Sequence, residues 1–386
     1  RAAGPAVPRT LLRVDLSALR RPGALRRWAV VATGVAVLCA LPAIVAAIPV
    51  SPARRPVPVL LAEVDGSAAT PYEGLAESSG RLSLPDLDSF TDQASLLGDT
   101  SRLRIWWDGP ARHRVDTLLR AGEKDVYQDG TTRWRWDSGP RQAFHREGRA
   151  PFPQPEPDDV TPPALARRLL AQIHPDQARP APPRRIAGRD ALGLVVQPRD
   201  PRSLVGRVAV WVEATSGLPL AVEVSPVGGG RPAFRTAFLD LRLGRPAAAH
   251  LAFRPDRDPT ATVEDDTRPD AGRRPAFRMP DHLGGLPRRS DPRPYVSTYG
   301  DGVALVSVVP VQRETALTIR GQLDAPRRPP VRGLFGEASV VSAPLLSGLV
   351  LGAGDRGWLL AGTVTPAVLE RMAAALVRTP PPPGAP

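Results

Sequence analysis

Hydrophobic and polar residues alternate along much of the first two thirds of the chain, which is the pattern of half-buried β-strands. In RLRIWW, Leu103, Ile105 and Trp107 fall on one face and the intervening residues on the other. In RWRW, Trp134 and Trp136 alternate with two arginines in the same way. Asp-Gly and Gly-Pro signals separate these runs at hairpin spacing. The pattern predicts an antiparallel meander.

Helical spacing interrupts the strand pattern at two places. Residues 59–79 predict one short helix leading into a strand. Thr161 is the predicted N-cap of a second helix, which has two prolines in its first turn and ends before Pro175. The strand pattern then resumes in DALGLVVQP, RVAVWVEATSGLPLAVEV and FRTAFLDLRL.

A change in composition separates a second folded region from the first. Residues 255–278 are rich in charge and proline, so we interpret them as a linker, and a small α+β domain follows at 279–378. Its predicted strands are YGDGVALVSVVPV, ETALTIRGQL, GLFGEASVVSAP and GWLLAGTVT, and its closing helix covers 366–377. The proline-rich tail 379–386 is expected to be disordered.

One segment near the N-terminus is apolar enough to cross a membrane. Residues 28–50 carry no charge, and 23 residues in a helix exceed a hydrocarbon core of about 30 Å. Segment 1–27 holds seven arginines and one acid, so the positive-inside rule places it in the cytoplasm and the later domains outside. Residues 51–58 form a short spacer. A cleaved signal peptide is the alternative that this pattern leaves open.

The composition of the chain and the motifs it contains exclude several classes of function. The net charge is +12, but the arginines are scattered among acids and no nucleic-acid-binding signature is present. The single cysteine, Cys39, excludes an intramolecular disulfide. No phosphate loop, nucleophile elbow or metal-ligand spacing occurs, and pairs such as Asp158 and Asp159 are interpreted as solvated loop acids. We therefore expect no catalytic site, metal or cofactor.

Several motifs resemble one family of envelope proteins. SRLRIWWDGPARHRVD, DVYQDGTTRWRWDS and GRVAVWVEATSGLPLAVEV are similar to the LolA-like half-barrel of lipoprotein carriers and of RseB/MucB regulators. RMPDHLGGLPR, YGDGVALVSVVP and GWLLAGTVTPAVLERMAAAL resemble the second domain of RseB/MucB proteins. The resemblance implies a LolA-like half-barrel with helices at 59–254 and an RseB-type C-terminal domain at 279–378. The arginine-rich and proline-rich composition fits an actinobacterium.

The resemblance also implies a function and candidate residues. It implies an extracytoplasmic lipid or lipoprotein sensor that acts on an anti-sigma factor, here tethered to the membrane. A LolA-like lipid carrier is the alternative, and a structural envelope module is a third possibility. The residues that line a ligand cavity, or else belong to the core, are Leu103, Ile105, Trp107, Val115, Trp134 and Trp136.

Overall fold

The computed structural model describes most of the chain outside its N-terminal fifty residues. It describes residues 27–37, 54–82, 91–148, 154–254, 261–265, 279–289, 296–323, 330–354 and 356–378. The chain divides into one unit, Arg1–Val50, and a second, Ser51–Pro386.

The first unit contains one described helix, α1, over residues 27–37. Among the residues that the structure describes, no helix combines the length and the apolar character needed to cross a bilayer. The remainder of the predicted spanning segment, residues 38–50, lies outside the described residues. The membrane helix therefore stays a prediction.

The second unit is α+β and is dominated by one large open sheet. Neighbouring strands are antiparallel except for β12, which runs parallel to β6, and the spatial order is β12-β6-β5-β4-β3-β2-β1-β11-β10-β9-β8-β7. The strands are β1 (Tyr72–Gly80), β2 (Thr100–Trp107), β3 (Arg112–Leu119), β4 (Gly122–Asp129), β5 (Thr132–Asp137), β6 (Gln142–Glu147), β7 (Ala178–Ile186), β8 (Arg189–Val196), β9 (Val205–Glu213), β10 (Pro219–Pro226), β11 (Phe234–Leu243) and β12 (Thr262–Asp265).

The predicted meander is confirmed in β2 to β6. Gly130 joins β4 to β5 and has φ +60°, a left-handed conformation that glycine adopts without steric cost. Gly217 has φ +73° and joins β9 to β10 after Ser216, as the sequence predicts. These tight turns fix the register of the flanking strands.

Helices cover one side of this sheet. They are α2 (Val57–Gly66), α3 (Thr91–Gly98) and α4 (Pro162–Leu170), together with short 3-10 turns at Ser67–Ala69, Pro157–Val160 and Pro175–Gln177. The short helix α5 (Ala248–Leu251) lies against the other side, where His250 contacts Trp106. Leu60 of α2 and Leu170 of α4 belong to the same buried core cluster as Ile105. Both predicted helices are confirmed, although the Thr161 side chain makes no capping hydrogen bond and instead donates to the carbonyl oxygen of Asp158.

A six-stranded antiparallel sheet occupies the C-terminal part, with a separate buried core. A two-stranded ribbon, β13 (His282–Leu283) and β14 (Leu286–Pro287), precedes it. The spatial order of the six-stranded sheet is β15-β16-β20-β19-β18-β17. The strands are β15 (Ser297–Asp301), β16 (Ala304–Gln312), β17 (Val331–Gly333), β18 (Gly336–Ser342), β19 (Ser347–Ala353) and β20 (Arg356–Gly362), and the helices are α6 (Arg313–Leu323) and α7 (Pro366–Arg378).

One sequence interpretation was wrong in this half, and the region before it contains a strand that the sequence did not predict. ETALTIRGQL is not a strand but most of helix α6, because its buried positions Ala316 and Leu323 are seven residues apart and lie on one helical face. The region interpreted as a linker contains strand β12, since Thr262–Asp265 pairs with β6. This strand pairs with a strand that is distant in the sequence, and its own residues have no apolar pattern that predicts it.

Candidate functional site

The register of the large sheet divides the candidate residues between its two faces. Residues directly opposite in an antiparallel pair point to the same side. Trp107 pairs with His113, and Ile105 pairs with Val115. We call the side that bears these residues the helix face, because the Trp107 indole donates a 2.8 Å hydrogen bond to the carbonyl oxygen of Ala68, just after α2.

Four of the six candidates lie on the helix face. Leu103, Ile105 and Val115 are fully buried, and Trp107 is 5% exposed. The Trp107 ring stacks on His113 at 4.4 Å, and the guanidinium of Arg167 on α4 lies 5.6 Å from its centre. These residues therefore form a packed core beneath the helices, and any ligand that reached them would have to displace α2 or α4.

The other two candidates lie on the opposite side, which we call the far face. Trp106, Arg114, Tyr127 and Trp134 are successive partners across β2 to β5. Trp136 is likewise on the far face. It pairs with Asp125 of β4, and Asp125 in turn pairs with Asp116 of β3. The structure therefore does not bring all six candidates together.

A cluster of charged side chains lies on the helix face near β5. Arg133 is 6% exposed, and its Nη2 lies 2.7 Å from Oδ1 of Asp158 and in contact with Glu156. The other carboxylate oxygen of Asp158 lies 3.2 Å from Nε2 of His113. We call Arg133, His113, Glu156 and Asp158 the ionic cluster.

Charge pairing makes the ionic cluster stable despite its burial. Burial alone would raise the pKa of Asp158, but its hydrogen bond with His113 and the charge of Arg133 outweigh burial and hold that pKa well below the usual range. Burial is also the main reason that the pKa of Glu156 is raised. The interpretation of Asp158 as a solvated loop acid was wrong, because the proline-rich segment folds back onto the sheet.

The far face combines aromatic rings with charged groups. The guanidinium of Arg114 lies 4.8 Å from the ring centre of Trp106 and 4.7 Å from that of Tyr127. Phe253, which follows α5, contacts Tyr127, Trp134 and Trp136 at centroid distances of 4.9, 5.2 and 6.1 Å. Ring–ring contacts of Phe253 thus hold the segment after α5 against this face, while cation–π contacts join residues within the sheet.

Three carboxylates lie beside this aromatic group. Asp116, Glu123 and Asp125 have oxygens within 4.8 Å of one another, a spacing that could hold a cation. Arg114 already donates to Asp116 at 2.6 and 2.9 Å and to Asp125 at 3.1 Å, while Arg104 lies 4.0 Å from Asp116. Because two guanidinium groups already lie among the three carboxylates, we assign the cluster to structure. The sequence places these acids on strands but gives no sign that they converge.

The Asp125 carboxyl is the most unusual acid of the far face. It is 2% exposed, and its Oδ1 has no hydrogen-bond partner among the residues that the structure describes. Burial, and after it the charge of Asp116, raises the pKa of Asp125 to about 7. This carboxyl therefore changes its charge near neutral pH.

A cavity of about 600 Å³ lies where the large sheet meets the C-terminal region. Its edges are joined by hydrogen bonds, including one of 2.8 Å from the Gly302 amide to the Gln172 side chain. Backbone bonds also connect Leu204 with Thr363 and Thr365 with Arg202. The lining residues are Ala171, Gln172, Ile173, His174, Gln177, Pro198, Arg199, Asp200, Asp301, Gly302, Val303 and Ala304.

Comparison with known proteins finds similarity in structure. No family model and no curated protein matches the chain. MucB in complex with MucA(peri) is 20% identical with a TM-score of 0.46, and the match covers 82% of this chain and 96% of that chain. The MucA/MucB complex of Pseudomonas aeruginosa gives 18% identity and a TM-score of 0.48, with the same coverage of 82% and 96%.

LolA-superfamily proteins are also among the structural neighbours. One from Nitrosomonas europaea is 14% identical with a TM-score of 0.22, and the match covers 52% of this chain and 99% of that chain. The structural neighbours thus include MucB and LolA-superfamily proteins, the same two groups that the sequence motifs resemble.

Proposed function

We propose that this chain is a membrane-anchored, extracytoplasmic regulatory protein that senses a lipid or lipoprotein and acts on an anti-sigma factor or another envelope-stress signalling partner. It acts by binding and is not an enzyme. In this proposal residues 28–50 are the anchor, and residues 59–254 and 279–378 are the binding domains. The partner class follows from the resemblance of the sequence motifs to RseB/MucB regulators.

The observation that carries the proposal is the presence of two sheets within one unit. A carrier needs only a sheet that shelters an acyl chain, whereas this chain adds a second sheet joined to the first by backbone hydrogen bonds. Ser203 and Val364 form an antiparallel bridge between these regions. Val303 and Leu345 of the C-terminal region also belong to the core cluster of the large sheet. A conformational change in the large sheet can therefore be transmitted to the second sheet.

The proposed ligand site is the helix face. Its buried apolar residues Leu103, Ile105 and Val115 would offer an acyl chain a favourable transfer of about 25 cal/mol per Å² of apolar area buried. Because α2 and α4 cover them, ligand entry requires these helices to move. Anchoring would keep the responding surface at high local concentration beside a membrane partner.

Gene deletion in the source bacterium tests the regulatory proposal. If the protein restrains an anti-sigma factor, deletion should change the transcripts of one sigma-factor regulon together, and the full-length gene should restore them. A defect in lipoprotein localisation with normal transcripts would favour the LolA-like carrier instead. Neither effect would contradict both functions.

Lipid analysis of the full-length chain tests the ligand site separately. The chain, extracted in a native-membrane polymer, should retain a stoichiometric lipid that native mass spectrometry detects. Trp107→Leu should reduce lipid occupancy, because it alters the helix face, whereas Trp134→Leu on the far face should retain it. Equal occupancy in the two variants would contradict a ligand site at the helix face.

A further inference from the structure

The two edges of the large sheet are protected in different ways. At one edge, β7 contains Pro180, Pro182 and Pro183, which have no amide hydrogen to offer to an incoming strand. The indole of Trp211 also bonds the Pro182 carbonyl oxygen at 3.1 Å, and Arg184 lies over that indole at 3.7 Å. This edge is closed by its own sequence.

The opposite edge has no such protection within its strand. Strand β6, Gln142–Glu147, contains no proline, and the four residues of β12 cover it in a parallel pairing. All four residues of β12 are exposed, and Val263 is 53% exposed. Because β12 buries little apolar surface, backbone pairing and polar contacts supply most of its attachment.

The polar contacts between β12 and β6 pair the carboxylates of β12 with polar side chains of β6. Oδ1 of Asp265 lies 3.1 Å from Nδ1 of His145, and the Gln142 side chain donates to Glu264 at 2.6 Å. His145 in turn lies 4.6 Å from the Trp134 ring. The edge therefore presents donor side chains, and the strand that covers it presents two carboxylates.

We propose that the β6 edge is a docking site for an extended acidic segment of a partner protein, and that Thr262–Asp265 occupies this edge until the partner displaces it. A partner strand would take over the backbone pairing and place its carboxylates at His145 and Gln142, as β12 does. The proposal goes beyond the proposed function, because it requires neither a lipid nor an anti-sigma factor.

Two full-length variants, both in a Cys39→Ser background, either release β12 from the β6 edge or hold it there. Glu264→Lys with Asp265→Lys removes the acidic contacts of β12 and opens the edge. Gln142→Cys with Thr262→Cys, joined by a short dithiol linker, holds β12 in place, because these two residues are directly paired. Asp176→Lys with Glu314→Lys reverses two exposed acids elsewhere and is the matched charge control.

The probe is a labelled synthetic peptide with the sequence of residues 258–267, and the controls are scrambled and lysine-substituted peptides. The open variant should bind the peptide about tenfold or more tightly than the charge control does, because the tethered β12 no longer competes. The linked variant should not bind it. Photocrosslinks should map to β6, and β6 amides should exchange hydrogen faster in the open variant until peptide is added.

Three results would overturn the proposal. One is an open variant whose β6 amides exchange rapidly but which binds no peptide. Another is slow exchange of β6 and β12 in every variant, which would show that β12 is a permanent strand. The third is dimerisation of the open variant through β6 in place of peptide binding, which would assign the edge to a second copy of this chain.

Discussion

Trp106 and Trp107 are neighbours on β2, yet they occupy opposite faces of the large sheet and different chemical surroundings. Trp107 is 5% exposed, stacks on His113 and donates a hydrogen bond to a backbone carbonyl oxygen. Trp106 is half-buried and lies beneath the guanidinium groups of Arg104 and Arg114. On the helix face, side chains are excluded from water by helices, whereas on the far face they are covered by charged side chains and by α5.

This difference means that similar residues contribute differently to stability. Full burial of a large apolar side chain contributes free energy through transfer from water and close packing. A partly exposed ring beneath an arginine gains about 0.5–1 kcal/mol from the cation–π contact. The helix face should therefore dominate the free energy of unfolding, while Asp125 on the far face should add a dependence of that free energy on pH below neutrality.

The largest effect is expected from a matched pair of tryptophan substitutions. Trp107→Ala should lower the free energy of unfolding by about 3–5 kcal/mol, because it leaves a cavity in a packed core. Trp106→Ala should cost about 1 kcal/mol. Urea unfolding of the full-length chain followed by circular dichroism measures both. Equal losses would show that the two faces do not differ in packing.

The next effect concerns the ionic cluster on the helix face. Arg133→Met leaves the carboxylates of Asp158 and Glu156 without their main cation and should cost about 3 kcal/mol. Arg135→Met, on the same strand but only half-buried, should cost less than about 1 kcal/mol. Adding Asp158→Asn to Arg133→Met should restore part of the lost free energy of unfolding, as measured by urea unfolding. No restoration would contradict the charge explanation.

The smallest effect is a pH dependence that belongs to the far face. The folded-state pKa of Asp125, about 7, lies above the unfolded value of about 4. Between these values the folded state binds more protons than the unfolded state, so Asp125 makes stability fall as pH rises from about 4 to about 7. Asp125→Asn should therefore make this fall in stability shallower.

Thermal unfolding across this pH range measures the effect. Asp116, Glu123, Arg104, Arg114 and Tyr127 also face this carboxyl, and the pKa of Asp116 is raised as well, so a smaller slope should remain in the variant. Asp92→Asn, at an exposed acid that pairs with Lys124, should leave the slope unchanged. A slope unaltered by Asp125→Asn would show that this carboxyl does not titrate near neutral pH.

Local patterns predicted much of the architecture but misassigned segments that depend on distant contacts. The alternation in β2 and β5 and the glycine turns were sufficient for the meander, because strand period and turn conformation are local properties. Helix α6 was mistaken for a strand, since a short run rich in Thr, Ile and Leu fits both patterns. Strand β12 and the burial of Asp158 depend on contacts with residues far away in the sequence.

The sequence by itself determined where many of the strands and the helices α2, α4 and α7 lie, and which side chains alternate along the strands of the meander. Only the tertiary structure decided which face each tryptophan occupies, because that depends on the register between strands, and a shift of one residue would exchange the faces. It also brought Arg133 to Asp158, and β12 to β6. These pairings join residues separated by 25 and about 120 positions, and no local periodicity specifies such contacts.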